Sequence, residues 1–154
     1  MIDIRSILDR RCTKVGVEAN SRKRLLEFAA DMMAEQYGLP ARTLFDELMG
    51  RERLGSTGLG EGVAIPHCRI PCAQIHGACL TLSNPVDYEA IDGFPVDIIF
   101  ILLVPPDENA AHLDLLAGLA RLFGSAENRS SLRAVSTDEE LFELLTGLLA
   151  SQAA

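Results

Sequence analysis

The chain has 154 residues, of which 48% are hydrophobic and 23% charged, and its formal net charge is −8. That length predicts a single domain over 1–154, large enough to bury a sizeable core, with a tail that frays from about residue 151. The acidic balance excludes a nucleic-acid-binding surface, which needs cations to displace counterions, and it suits a basic protein partner.

In chain order, Ile2–Ile4 and Cys12–Val17 read as short extended pieces. A helix is predicted from about Ser21 to Tyr37. Asn20 or Ser21 caps it, Leu25, Leu26, Ala29, Met32 and Met33 share one face, and Gly38 with Pro40 ends it. A second helix over Ala41–Glu52 buries Leu44, Phe45, Leu48 and Met49, and its tail carries Arg51 and Arg53 toward a glycine-rich loop. Val63–His67 then reads as a strand, and so does Ile75–Ser83, which Pro85 stops. Val96–Val104 is nearly continuous apolar sequence, the mark of a strand covered on both faces, so helices must lie on both sides of the sheet. Pro105–Pro106 breaks it, and Asp107 or Asn109 starts a helix to about Phe123. A short helix follows near Asn128–Arg133, and Thr137-Asp138-Glu139-Glu140 is a capping box for a last helix through Leu149. The elements add up to a three-layer α/β domain. No stretch is apolar enough to cross a bilayer, and Met1–Arg5 lacks the layout of a secretory leader, so a cytoplasmic protein without membrane insertion is expected.

The run Leu54–His67 carries the chemistry. Gly55, Gly58, Gly60 and Gly62 free backbone N–H groups that can cradle an anion, Ser56 and Thr57 add hydroxyls, and Arg51 or Arg53 adds a guanidinium fork. A short apolar strand then delivers His67, whose neutral ring is a nucleophile at cell pH. Together these residues suggest a phosphoryl group carried on histidine. Composition alone leaves a second reading open, because glycine turns before strands are common and a lone histidine is more often structural. The Gly-Lys-Ser/Thr ending of a nucleotide loop is missing, so nucleotide binding is not expected.

The remaining candidates are weaker. His112 shares a helical face with Leu115 and Leu116, which by itself favours a core-border role. His76 reads as a solvated turn residue. His67, Cys68, Cys72, His76 and Cys79 have ligand chemistry suited to zinc but a spacing unlike any familiar zinc motif, so no metal is expected. Asp87, Glu89 and Asp92 read as loop carboxylates.

With these residues in place, the chain resembles the IIA components of the bacterial phosphoenolpyruvate-dependent phosphotransferase system, of the mannitol/fructose-type fold and nearest the nitrogen-regulatory branch (IIA-Ntr). The resemblance rests on Arg51–His67, on Ala90-Ile91-Asp92-Gly93 with Pro95-Val96-Asp97, on Ile101–Pro105 and on His112-Leu113. It covers nearly the whole chain. It implies one mixed β-sheet flanked by helices on both faces, His67 as phosphoryl acceptor, His112 as the second active-site histidine and Arg51 near the phosphoryl group. It also implies an HPr/NPr-type phosphocarrier protein as donor, itself charged from phosphoenolpyruvate by an enzyme I, and no cofactor. Regulatory targets remain open, with ion transporters, sensor kinases and metabolic enzymes all in range. Two rival outputs stand beside regulation: a sugar-specific IIA unit passing phosphate to a IIB domain, and a metal-binding interaction module. One departure is visible. The family usually has Gly and often Lys after its histidine, where this chain has Cys68 and Arg69. Arg69 preserves the charge, while Cys68 adds a side chain at the rim that is oxidation-sensitive where exposed.

Overall fold

The computed structural model describes residues 4–108 and 110–153. Ile2 and Asp3, read as extended, and Asn109, read as a possible cap, lie outside the described residues. Ile4, the third residue of that extended reading, instead opens a short helix.

The element order is α1 (Ile4–Ile7), β1 (Leu8–Val17), α2 (Arg22–Tyr37), α3 (Ala41–Arg53), β2 (Gly58–Gly60), β3 (Val63–Ala64), β4 (His67–Arg69), β5 (His76–Val86), β6 (Val96–Val104), α4 (Ala110–Gly124), α5 (Ala126–Ala134) and α6 (Asp138–Ala153). Local chemistry sets most of these boundaries. Ser21 caps α2 by accepting from the Arg24 N–H, and Gly38 closes it at φ 68°. Thr137 accepts from the Glu140 N–H at 3.1 Å, the capping contact read from the sequence. Helix α6 then runs through the segment 151–153 that was expected to fray.

One sheet holds the fold together in the order β1-β5-β6-β3-β2, with β4 also paired to β6. The pairs β1–β5, β3–β6 and β4–β6 are parallel, while β5–β6 and β2–β3 are antiparallel. The sheet is therefore mixed. Strand β6 lies inside it, and alternation sends its side chains to two separate cores. Ile99, Ile101 and Leu103 pack with Leu25, Ala29, Met33, Leu44 and Leu48 of α2 and α3. Ile98, Phe100, Leu102 and Val104 pack with Leu119, Leu122, Leu132, Leu141 and Leu145 of α4, α5 and α6. Helices cover both faces, as the apolar run Val96–Val104 requires. Among the described residues, no helix is long and apolar enough to cross a membrane.

Two strands depart from the sequence reading, each at a proline. Strand β5 passes Pro85 and ends at Val86. The ladder to β6 shifts register between Thr81 and Val86, so a residue without an N–H sits where no ladder bond is needed. The stretch Val63–His67 is not one strand but two pieces, β3 and β4, both parallel to β6 and separated by Ile65-Pro66. The Pro66 carbonyl still accepts from Leu102 N at 2.9 Å, so the chain stays on the sheet across the break.

The turn between β2 and β3 shows why glycine is needed there. Gly62 has φ +82°, and a Cβ on it would lie 2.4 Å from Arg133 Nη2. Arg133 occupies that space to bind Asp97 (Nη2–Oδ1 2.9 Å) and the Glu61 carbonyl (2.8 Å), tying the turn to α5. Gly62→Ala should therefore lower stability by roughly 1–2 kcal/mol from the backbone alone, and more if Arg133 is displaced. A urea midpoint at or above that of the parent protein would contradict this.

Candidate functional site

His67 opens β4 opposite Leu102, near the carboxyl end of β6, where α/β sheets commonly place their chemistry. Its neighbour Cys68 packs into the α2/α3 core. Strand alternation therefore turns His67 and Arg69 toward the opposite face, the one covered by α4, α5 and α6. His112 is the third residue of α4, half-buried, on the helix whose Ala111, Leu115 and Leu116 pack against that face. The two histidines, 45 positions apart in the chain, thus stand on the same side of the sheet.

The orientation of the His67 ring is set by the backbone. Nδ1 lies 2.9 Å from the Ile65 carbonyl oxygen, which can only accept, so the neutral ring carries its proton on Nδ1. The lone pair is left on Nε2. Half-buried, the ring keeps access to solvent from the rim of the sheet.

The glycine-rich loop is built differently from an open cradle. The Thr57 N–H donates to Glu52 Oε1 at 2.9 Å and the Thr57 hydroxyl to Glu52 Oε2 at 2.5 Å. Ser56 Oγ donates to the Tyr88 carbonyl at 3.0 Å and accepts the Gly58 N–H at 3.1 Å, while Gly55 N–H is bonded to the Glu52 carbonyl. Among the expected anion-binding residues, Gly55, Ser56, Thr57 and Gly58 therefore spend these donors inside the loop. Gly60 and Gly62 form the β2–β3 turn, with the Asp92 carboxylate beside Gly60 and Arg133 beside Gly62. At these donors, glycine serves tight packing. Gly58, for example, has no room for a Cβ, which would fall 2.7 Å from that of Ala90.

What the loop does hold is the strand that presents His67. The Thr57 carbonyl accepts from Ile65 N at 3.1 Å, and the Ile65 carbonyl accepts from His67 Nδ1. A continuous line of hydrogen bonds thus runs from the Glu52 carboxylate through Thr57 and Ile65 to the imidazole. Glu52 is buried in the last turn of α3, with Arg22 Nη1 at 3.9 Å. The Tyr88 hydroxyl lies 3.3 Å from Thr57 Oγ1. Burial, with the Glu52 charge, pushes the Tyr88 phenol well above its ordinary pKa and keeps it protonated. Sequence reading passed over Glu52 because nothing in helical periodicity marks a carboxylate that will be buried. The only available hint was an acidic residue five positions before a threonine.

Arg51 stands in the same last turn of α3, and its Nη1 donates to the Gly55 carbonyl at 2.8 Å, closing the loop. Arg53 is exposed. Asp92 accepts from Glu61 N and Phe94 N, and these N–H groups hold its carboxyl below the usual range.

The Cys/His cluster comes apart in three dimensions. Cys68 lies in the α2/α3 core and Cys79 in the core on the other face of the sheet. Burial pushes both thiols up to about 12. Cys68 is thus neither an exposed rim thiol nor easily oxidised. Among the described residues, no three His, Cys, Asp or Glu side chains converge in a way that could hold a metal ion.

His76 is not a solvated turn residue either. It begins β5, half-buried and stacked on Tyr37 with ring centroids 4.0 Å apart, and its Nδ1 is buried without a hydrogen-bond partner. Burial lowers its pKa from 6.5, so the unfolded chain binds this proton more readily than the folded one. The His76 contribution to stability is unchanged above that value and is lost as pH falls through it. His76→Gln should flatten the decline in urea midpoint between about pH 7.5 and about pH 5.5. An unchanged pH slope would show that His76 protonates freely in the fold.

Comparison with known proteins agrees with the geometry. Residues 6–147 match the family described as phosphoenolpyruvate-dependent sugar phosphotransferase system, EIIA 2. A nitrogen regulatory protein of Pseudomonas aeruginosa is 43% identical over 149 residues, covering 94% of this chain and 96% of that protein. The 2-O-alpha-mannosyl-D-glycerate-specific EIIABC component of Escherichia coli is 29% identical over 94% of this chain but only 23% of its own length. The crystal structure of nitrogen regulatory protein IIA-Ntr from Neisseria meningitidis superposes with a TM-score of 0.88 at 41% identity, covering 95% of this chain and 98% of that one. A histidine presented at the carboxyl end of a mixed, doubly covered sheet, and a family match over 6–147, lead to one conclusion: the chain belongs to the EIIA 2 family of the phosphoenolpyruvate-dependent phosphotransferase system.

Proposed function

We propose that the protein is a phosphoryl carrier of the nitrogen-regulatory phosphotransferase system, with His67 as acceptor. The observation that carries this is the Nδ1–H···O=C bond to Ile65, which leaves Nε2 as the one nucleophilic ring nitrogen at the rim of the sheet. Nε2 attacks the phosphorus of a phosphohistidine on an HPr/NPr-type carrier. A new N–P bond forms as the carrier's N–P bond breaks, and that electron pair returns to the carrier's imidazole. His112 approaches the transferred group from α4, and Arg51 supports the loop beneath it. Exposed Leu54, Ile91, Phe94 and Leu113, in the segments flanking the site, offer the carrier an apolar contact surface.

Phosphorylation adds nearly two negative charges at His67, so a partner that binds one form discriminates against the other. The regulatory output is favoured by the 43% identity to a nitrogen regulatory protein over nearly the full length of both chains. The relative with EIIABC organisation supports the second reading, transfer onward to a IIB acceptor, at a lower 29%. Both readings place the protein in the cytoplasm.

Incubation with phosphoenolpyruvate, enzyme I and the carrier should add one acid-labile phosphoryl group, located on His67 by mass spectrometry or phosphorus NMR. Labelling at another residue, or none, defeats the proposal. Efficient onward transfer to a IIB domain would move the assignment to the second reading.

A further inference from the structure

We propose that Arg69 is a positioning residue that sets where His112 stands relative to His67; the inference rests on the two-histidine reading above. Arg69 lies two residues after His67 on β4, paired with Val104 at the end of β6. Beyond Val104 the chain leaves the sheet through Pro105-Pro106, and neither proline has an N–H with which to anchor itself. The anchoring comes from Arg69 instead. Its two Nη1 hydrogens are shared among the carbonyls of Pro105 (3.0 Å), Pro106 (3.0 Å) and Glu108 (2.6 Å).

Glu108 then carries the constraint into the helix. Its Oε1 accepts from Ala111 N at 3.2 Å, an N-terminal cap on α4, and the next residue is His112. The path from one histidine to the other is short: His67, two steps along β4 to Arg69, one guanidinium grip on the loop, one carboxylate cap, His112. A charge-assisted donor on three carbonyls fixes the loop in a way that an ammonium on a flexible stem does not, because the guanidinium is planar and its donors are rigidly placed. The Nη1 hydrogens are committed to the loop, so Arg69 acts here through the helix rather than by touching the phosphoryl group with that nitrogen.

The test is a double-mutant cycle on phosphoryl transfer from the charged HPr/NPr-type carrier, using the parent protein, Arg69→Met, His112→Ala and the double variant. Arg69→Met should slow transfer roughly tenfold with little change in KM for the carrier, and it should cost nothing further in the His112→Ala background. Arg69→Lys should recover only part of the rate. Hydrogen exchange at the Ala111 amide supplies a readout independent of chemistry. It should accelerate in Arg69→Met while amides of β5 stay protected. Equal slowing in both backgrounds, full recovery by Lys, a raised KM, or unchanged exchange at Ala111 would each overturn the proposal. A parent protein that never takes phosphoryl on His67 would defeat the functional reading instead, and Ala111 exchange would still judge the tether.

Discussion

A His67→Ala protein should take up no phosphoryl group from a charged carrier, whereas His112→Ala should still take it up, about 10²–10³ times more slowly. The asymmetry follows from the two roles. Removing His67 removes the ring nitrogen whose lone pair the Ile65 contact leaves on Nε2, and its chain neighbours do not replace it: Cys68 is buried with its thiol pushed up to about 12, and Arg69 is bonded to the loop. In the proposed mechanism His112 faces the transferred phosphoryl, and a single positioned donor is typically worth about that factor. His76→Gln serves as the control and should be phosphorylated at the parent rate, since His76 is stacked on Tyr37 in the fold. The measurement is the rate of acid-labile phosphate incorporation. Equal rates for the His112 variant and the parent would remove His112 from the site, and residual labelling of the His67 variant would remove His67.

The second large effect concerns stability. Glu52→Ala leaves the buried Thr57 N–H and hydroxyl without their acceptor and withdraws the carboxylate 3.9 Å from Arg22. Hydrogen bonds to a charged acceptor are the stronger kind, and breaking a buried charged network from one side is costlier than never having built it. The expected loss is about 3–5 kcal/mol, which at this chain length lowers Tm by roughly 6–20 °C. Glu52→Gln should recover part of the loss, because an amide oxygen can still accept one of the two bonds. Because the same network leads through Thr57 and Ile65 to His67 Nδ1, the Ala variant should also lose the fixed tautomer, visible in the imidazole nitrogen shifts. A variant that unfolds at the parent temperature would refute the assigned role of Glu52.

Much of this fold was legible residue by residue. The caps at Ser21, Gly38 and Thr137 act within a few positions of themselves, so reading them needs no tertiary context. The run Val96–Val104 announces a doubly covered strand because only a surface buried on both sides tolerates no polar alternation. Both proline breaks were misjudged for one reason. A missing N–H ends a strand only where the ladder needs that donor, and whether it does depends on the register of a neighbour.

The candidate site divides in the same way. By itself the sequence determined that a glycine-rich turn delivers one histidine from a short apolar strand, since those features are contiguous and their chemistry is local. Only the tertiary structure decided that the loop's donors face inward to Glu52 and Tyr88, that Cys68 and Cys79 lie on opposite faces of the sheet, and that Arg69 grips the entrance to α4. It also decided that His67 and His112 share a face. The physical reason is that strand alternation says which side chains point together but not which side a distant helix will cover. That choice is made by packing, when β6 divides its apolar side chains between two cores.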